Sequence, residues 1–165
     1  MNAQPAILVG TANRQVIVRV EGKGSFLNST GLKDFAREMM NRGYREFLVD
    51  LQNCPLMDST FMGTLAFMAL RLREFGQGQL RVVNPNARNT DLLCNLGFDR
   101  LFTVETGEAR VEEVVTPLTV QPADKAAQKQ TMLEAHEAAV EANPENAAKF
   151  KDVLEYLRQD LHVAR

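Results

Sequence analysis

Three consecutive residues, Asp58-Ser59-Thr60, combine a carboxylate with two hydroxyls at the point where a loop gives way to helical periodicity. Asp and Ser are strong helix N-caps, because each side chain accepts from the free amides of the first turn. The same helix start presents unpaired N–H groups and the positive end of the helix dipole, so it tolerates an anion. A phosphate on Ser59 would add about 1.5 to 2 negative charges at neutral pH and three strong acceptors. Beside Asp58, it would repel a partner fitted to the neutral hydroxyl. Thr60 is the weaker alternative acceptor. The plain reading of the same residues is a helix cap and nothing more.

Other candidates carry less. The only histidines, His136 and His162, lie in the C-terminal part of the chain. His136 shares a helical face with Met132 and Val140, which reads as packing or partial exposure. No H-E-x-x-H and no Cys/His cluster occurs, so neither a metal nor another cofactor is expected. Gly22-Lys23-Gly24-Ser25 lacks the spacing of a phosphate loop and reads as a strand-end turn. Asp50 ends a strand and needs no catalytic role. Catalysis requires convergent groups, and no such set is evident, so the chain is expected not to be an enzyme.

These residues must be positioned by elements that alternate. Ala6 to Thr11 and Gln15 to Glu21 are β-rich runs joined by Ala12-Asn13-Arg14, a predicted hairpin. A helix capped by Ser29 or Asn28 follows, with Leu32, Phe35, Ala36, Met39 and Met40 on one face and Gly43 as its stop. Phe47 to Leu51 is a buried strand. The next helix spans about Thr60 to Phe75, with a core stripe of Phe61, Leu65, Met68, Leu72 and Phe75. Leu80 to Val83 is a strand, and Asn84-Pro85 is a helix start signal. Leu92, Leu93 and Leu96 face inward before Gly97. Leu101 to Val104 is a short strand, and Glu108 to Val115 a further helix. Such alternation predicts an α/β fold, a mixed sheet with an N-terminal hairpin and helices packed against it.

Composition changes near residue 116. The chain is read as a domain over 1–116, a linker over 117–122 and a helical extension over 123–165. The extension holds one helix over Ala123 to Ala142 and a second after Asn143-Pro144. Ala147, Phe150, Val153, Leu154, Leu157 and Leu161 form the stripe of that second helix, so a C-terminal helical hairpin is expected. Its apolar stripe must be buried on the domain or on a second copy as a homodimer.

The 165 residues carry 19 Lys+Arg and 21 Asp+Glu, a net charge of -2. That balance argues against nucleic-acid binding. No run is long enough for membrane insertion, and the start lacks a signal-peptide pattern. Cys54 and Cys94 are far apart and read as reduced thiols. A cytoplasmic location is therefore expected.

The order of elements and these residues together resemble the STAS domain of bacterial anti-sigma-factor antagonists, over about residues 6 to 116. The resemblance is carried by Phe47-Leu48-Val49-Asp50-Leu51, a short loop, Met57-Asp58-Ser59, and a helix with Gly63 and Leu65. Asn84-Pro85 and Leu96-Gly97-Phe98 also match. The resemblance implies that Asp50 is the motif's strand-end acid and that Ser59 is the phosphorylated serine. It further implies that Asp58, Ser59, Thr60, Phe61, Met62 and Gly63 form a partner-binding face. The implied partners are an anti-sigma factor with serine kinase activity and a metal-dependent serine phosphatase. Two departures stand out: Phe61 replaces a glycine common in antagonists, and Lys23-Gly24-Ser25 replaces an acidic pattern. The alternatives are a STAS scaffold or oligomerisation module that is not phosphorylated, and a ligand-linked accessory domain of a transport system.

Overall fold

The computed structural model describes residues 4–106, 115–118 and 123–163. β1 (Ala6–Ala12) and β2 (Gln15–Glu21) form an antiparallel hairpin. Its turn is two residues, Asn13 and Arg14, both at positive φ (53° and 65°), the conformation that matches strand twist in tight hairpins. The chain then crosses through α1 (Phe26–Asn41) to β3 (Glu46–Asp50), through α2 (Ser59–Glu74) to β4 (Gln79–Val83), and through α3 (Ala87–Asn95) to β5 (Thr103–Glu105). β2, β3, β4 and β5 pair in parallel. β6 (Thr116–Pro117) closes the other edge antiparallel to β1, giving the order β5-β4-β3-β2-β1-β6. The expected mixed sheet is present. A β-strand occupies the start of the stretch expected to be linker.

The helix-facing side of the sheet buries Val16, Val18, Val20, Phe47, Val49, Leu51, Leu80 and Val82 against Leu32, Phe61, Leu65, Met68 and Leu72. On the opposite face Ile17, Leu48 and Val83 cluster with Val115. The helix expected over Glu108 to Val115 otherwise falls on residues outside the described ones, and Val115 itself is not helical.

Several boundaries differ from expectation. Ser25, not Ser29 or Asn28, caps α1: its Oγ accepts the Leu27 amide (3.2 Å), while Asn28 Oδ1 accepts the Ser25 amide (2.9 Å). This reciprocal box satisfies donors at both ends of the first turn. Asn86, not Asn84, caps α3, accepting from the Asn89 amide at 2.8 Å. Asn84 adopts a left-handed φ of 59°. Phe75 does not join the core stripe; it caps the C-terminal end of α2 half-exposed, with the Arg45 guanidinium 3.6 Å from its ring centroid. Stacking of this kind supports an exposed ring.

The helical hairpin consists of α4 (Lys125–Ala142) and α5 (Asn146–Val163). Asn143 ends α4 and also leads into α5, its Oδ1 accepting the Glu145 amide at 3.2 Å, and Asn146, fully buried, donates to the carbonyls of Leu96 and Ala139. α4 lies across α2 and α1, and α5 packs on α4. Leu154 and Leu157 are buried, whereas Ala147 and Val153 of the expected stripe are exposed. No helix among the described residues is long and apolar enough to cross a membrane.

Candidate functional site

Two loops run side by side before the helices begin. The segment after β2 and the segment after β3 form an isolated parallel bridge between Gly24 and Met57. The Gly24 amide donates to the Leu56 carbonyl (3.0 Å), and the Asp58 amide donates to the Gly24 carbonyl (2.9 Å). A side chain at Gly24 would collide with the Phe61 ring, since an added Cβ would lie 2.7 Å from Phe61 Cδ1. This close approach brings the N-termini of α1 and α2 together. Asn86 and Asn89 of the α3 start hold the second loop by donating to the Pro55 and Cys54 carbonyls (3.1 and 2.9 Å).

Asp58 joins the two helix starts. Its Oδ1 accepts the Phe61 amide of α2 (2.8 Å) and its Oδ2 accepts the Phe26 amide of α1 (2.9 Å). A carboxylate at two helix N-termini satisfies orphan donors and meets two positive dipole ends. Ser59 is therefore the first residue of α2 and not its cap, so its hydroxyl is not consumed by the helix.

That hydroxyl instead meets a residue 77 positions away: Ser59 Oγ lies 2.9 Å from His136 Nε2 on α4. His136 Nδ1 lies 2.6 Å from the Met132 carbonyl. A carbonyl can only accept, so Nδ1 carries the proton and Nε2 presents its lone pair to the Ser59 O–H. His136 is 2% exposed, with the Phe150 ring edge-on at 4.9 Å between centroids. Burial pushes its pKa below the ordinary value of 6.5, partly opposed by the Met132 carbonyl and the Asp58 charge. Burial thus favours the neutral imidazole.

Around this contact α4 is fitted closely. Thr30 Oγ1 donates to Thr131 Oγ1 at 2.8 Å with both groups buried, and Lys33 Nζ donates to Glu134 at 2.9 Å. Gly63 meets Ala135 so closely that an added Cβ would lie 2.7 Å from its carbonyl carbon.

The residues of the expected partner face are thus distributed unevenly. Asp58 and Ser59 are half-buried, while Thr60, Phe61, Met62 and Gly63 are buried. Phe61, expected both in the core stripe and on the partner face, is a core residue under Gly24 with no exposure. Asp50 lies apart from Ser59's contacts. It accepts from Gln52, Asn84 and Arg19 (3.0, 3.0 and 3.4 Å), tying together the ends of β3 and β4. Lys23-Gly24-Ser25 is the paired loop and cap described above. Cys54 is buried and Cys94 exposed.

Sequence reasoning missed His136 as the partner of Ser59. One signal pointed to a cover: α2 has no charged residue from Ser59 to Leu70. A helix apolar on all sides must be buried on all sides, and the sheet with α1 can cover only part of it.

No curated protein matches the chain. Solved structures with a similar fold include a protein described as an anti-sigma factor antagonist from Thermotoga maritima (19% identity, TM-score 0.56), which covers 60% of this chain and 85% of its own. SpoIIAA, described as an anti-sigma factor antagonist, is similar in its unphosphorylated form (16% identity, TM-score 0.52, 64% of this chain and 90% of its own). The phosphorylated form of the Bacillus protein is also similar (16%, 0.52, 61% and 92%). These likenesses show a shared fold. The model of the STAS domain matches residues 6–113, more than half of the sequence, and the chain belongs to the STAS domain family.

Proposed function

We propose that this protein is a phosphorylation-controlled partner-switching protein of the anti-sigma factor antagonist type, with Ser59 as its control point. The observation that carries the reading is the division of labour at the α2 start. Asp58 performs the capping, so the Ser59 hydroxyl at this helix N-terminus is not tied to its own helix and faces His136 instead. Fold neighbours described as anti-sigma factor antagonists, one in a phosphorylated form, support the same reading. In its unmodified form the domain binds an anti-sigma factor that is also a serine kinase. Phosphate on Ser59 ends the complex by charge and bulk, and a metal-dependent serine phosphatase restores it. Because Ser59 touches α4, the partner reaches the hydroxyl only when the hairpin moves aside.

The test incubates the full chain with an anti-sigma factor serine kinase and ATP, followed by phosphopeptide mapping. Phosphate is expected on Ser59, with Thr60 as the weaker acceptor. In a capture assay with the same kinase, Ser59→Ala is expected to retain binding and Ser59→Asp to lose it. Equal capture of both variants would sink the switch reading.

A second reading, a scaffold that self-associates, is favoured by the exposed outer face of α5, where Val153 and Tyr156 are 37% and 61% exposed. Light scattering of the full chain distinguishes it: a dimer mass that persists in Ser59→Asp supports assembly independent of modification.

A further inference from the structure

The hairpin α4–α5 lies outside the matched family region of residues 6–113. The three similar solved structures match over 85 to 92% of their own lengths while covering only 60 to 64% of this chain. The sheet with its helices is therefore a fold that stands in those proteins without this hairpin. Here α4 occupies the face of α2 that begins at Ser59.

The contact is selective for the hydroxyl. At 2.9 Å the Ser59 O–H fills the space between α2 and the His136 lone pair, and no tetrahedral phosphate fits there. The groups around the site are Asp58, already anionic and bound to two backbone amides, the neutral His136, the Met132 carbonyl and the Phe150 ring. A phosphate would crowd a second anion beside Asp58 and break the part-buried hydrogen bond to His136.

The rest of the seam is lined by short side chains on α4. The buried residues of α4 are Thr131, Ala135, His136, Ala138 and Ala139, which are small or polar, and Thr131, Ala135 and His136 meet Thr30, Gly63 and Ser59. Small residues permit close approach and each buries little apolar area; Ala138 and Ala139 still join the main apolar core, and the hydrogen bonds at Ser59 and Thr30 add a dependence on correct partners. Within the hairpin, α4 and α5 are joined by their own contacts, among them Lys129 with Asp160 and Arg158 with Glu137 (3.3 Å). The pair can therefore move as a unit when the bonds from Asn143 and Asn146 to the Leu96 carbonyl and from Lys149 to the Asn95 carbonyl release with the seam.

We infer that the C-terminal hairpin is an intramolecular latch closed on unmodified Ser59, and that a phosphate at this hydroxyl opens it and uncovers the α2 face. This inference rests on Ser59 being the modified residue. Because the hairpin is tethered, it competes with any external partner at a high effective concentration, so the latch also sets how tightly a partner must bind.

The test is hydrogen exchange on the full chain with phosphoserine installed at position 59 by nonsense suppression, compared with Ser59. Amides of 125–142 are expected to exchange at least about tenfold faster with phosphoserine, while those of β3 and β4 are unchanged. Equal or slower exchange in α4 overturns the latch, the slower case meaning that phosphate tightens the contact through a charged His136. Loss of protection in the strands as well also overturns it, since the phosphate would then unfold the domain rather than release the hairpin. Ala135→Arg supplies a second arm, because it wedges the seam at Gly63 without touching Ser59. It is expected to reproduce the fast exchange in α4 with the strands still protected, and normal α4 exchange in that variant counts against the latch. Kinase labelling reports on the partner reading and exchange on the latch, so either can fail alone.

Discussion

The interior of the sheet and the seam between α2 and α4 are both buried, yet they are made of different materials. Between sheet and helices lie Phe47, Phe61, Leu32, Leu51, Leu65 and Met68, all without exposure. Where α4 meets α2 and α1 lie Gly63, Ala135 and His136, with single hydrogen bonds from Ser59 of α2 to His136 and from Thr30 of α1 to Thr131. An apolar core is indifferent to small chemical change at its edges. A seam of buried hydrogen bonds is not, because one unmatched donor or acceptor costs about 1 to 3 kcal/mol. The first arrangement makes a fold, and the second makes a joint that a single modification can open.

The largest expected effect is in the core. Leu65→Ala should lower global stability by about 2 to 5 kcal/mol, read as a shift of the whole urea transition. If the hairpin is a separate unit, α4 exchange should change far less than the strands. Gly63→Ala sharpens the contrast through its sign. On an uncovered helix this substitution stabilises by about 1 kcal/mol through helix propensity. Against the Ala135 backbone it should instead destabilise by about 1 to 3 kcal/mol as overpacking, with the loss confined to α4 amides. A stabilised protein would mean that α4 does not dock on α2.

Asp58→Ala addresses the one residue that serves both regions. It removes acceptors from the Phe26 and Phe61 amides and should cost about 1 to 2 kcal/mol, the upper end of a cap deletion. The first turns of α1 and α2 should both lose exchange protection. A loss limited to α2 would show that the bond to Phe26 contributes nothing.

The sequence made the sheet, the crossovers and the Asp58-Ser59 position readable because their signals are local. Alternation identifies β1 and β2, and helical spacing identifies α1, α2 and the hairpin. Boundaries slipped where capping was reciprocal, as at Ser25 with Asn28, or where a proline stood before the true cap, as at Pro85 before Asn86. β6 was read as linker because two residues carry no period. The pairing of Ser59 with His136 was hidden for a different reason: nothing near either residue encodes a contact across 77 positions. The uncharged run from Ser59 to Leu70 encoded that a cover exists, but not which segment supplies it.

The smallest expected effect is on pH dependence, and it isolates His136. Burial lowers its pKa in the docked state from the ordinary 6.5, so the undocked histidine binds a proton more readily. Docking is therefore at full strength above about pH 6.5, weakens as pH falls through that value, and levels off only below the lowered docked pKa. The groups facing the ring are the Ser59 hydroxyl, the Met132 carbonyl, the Phe150 ring and the Asp58 carboxylate, whose charge opposes the shift and keeps the effect small. Exchange of α4 amides, corrected for intrinsic rates, should accelerate between pH 7.5 and about 5.5, a window above ordinary carboxylate titration. Strand amides should hold steady. His136→Asn should flatten the α4 profile, and a slope that survives in that variant would place the titrating group elsewhere and remove the histidine from the joint.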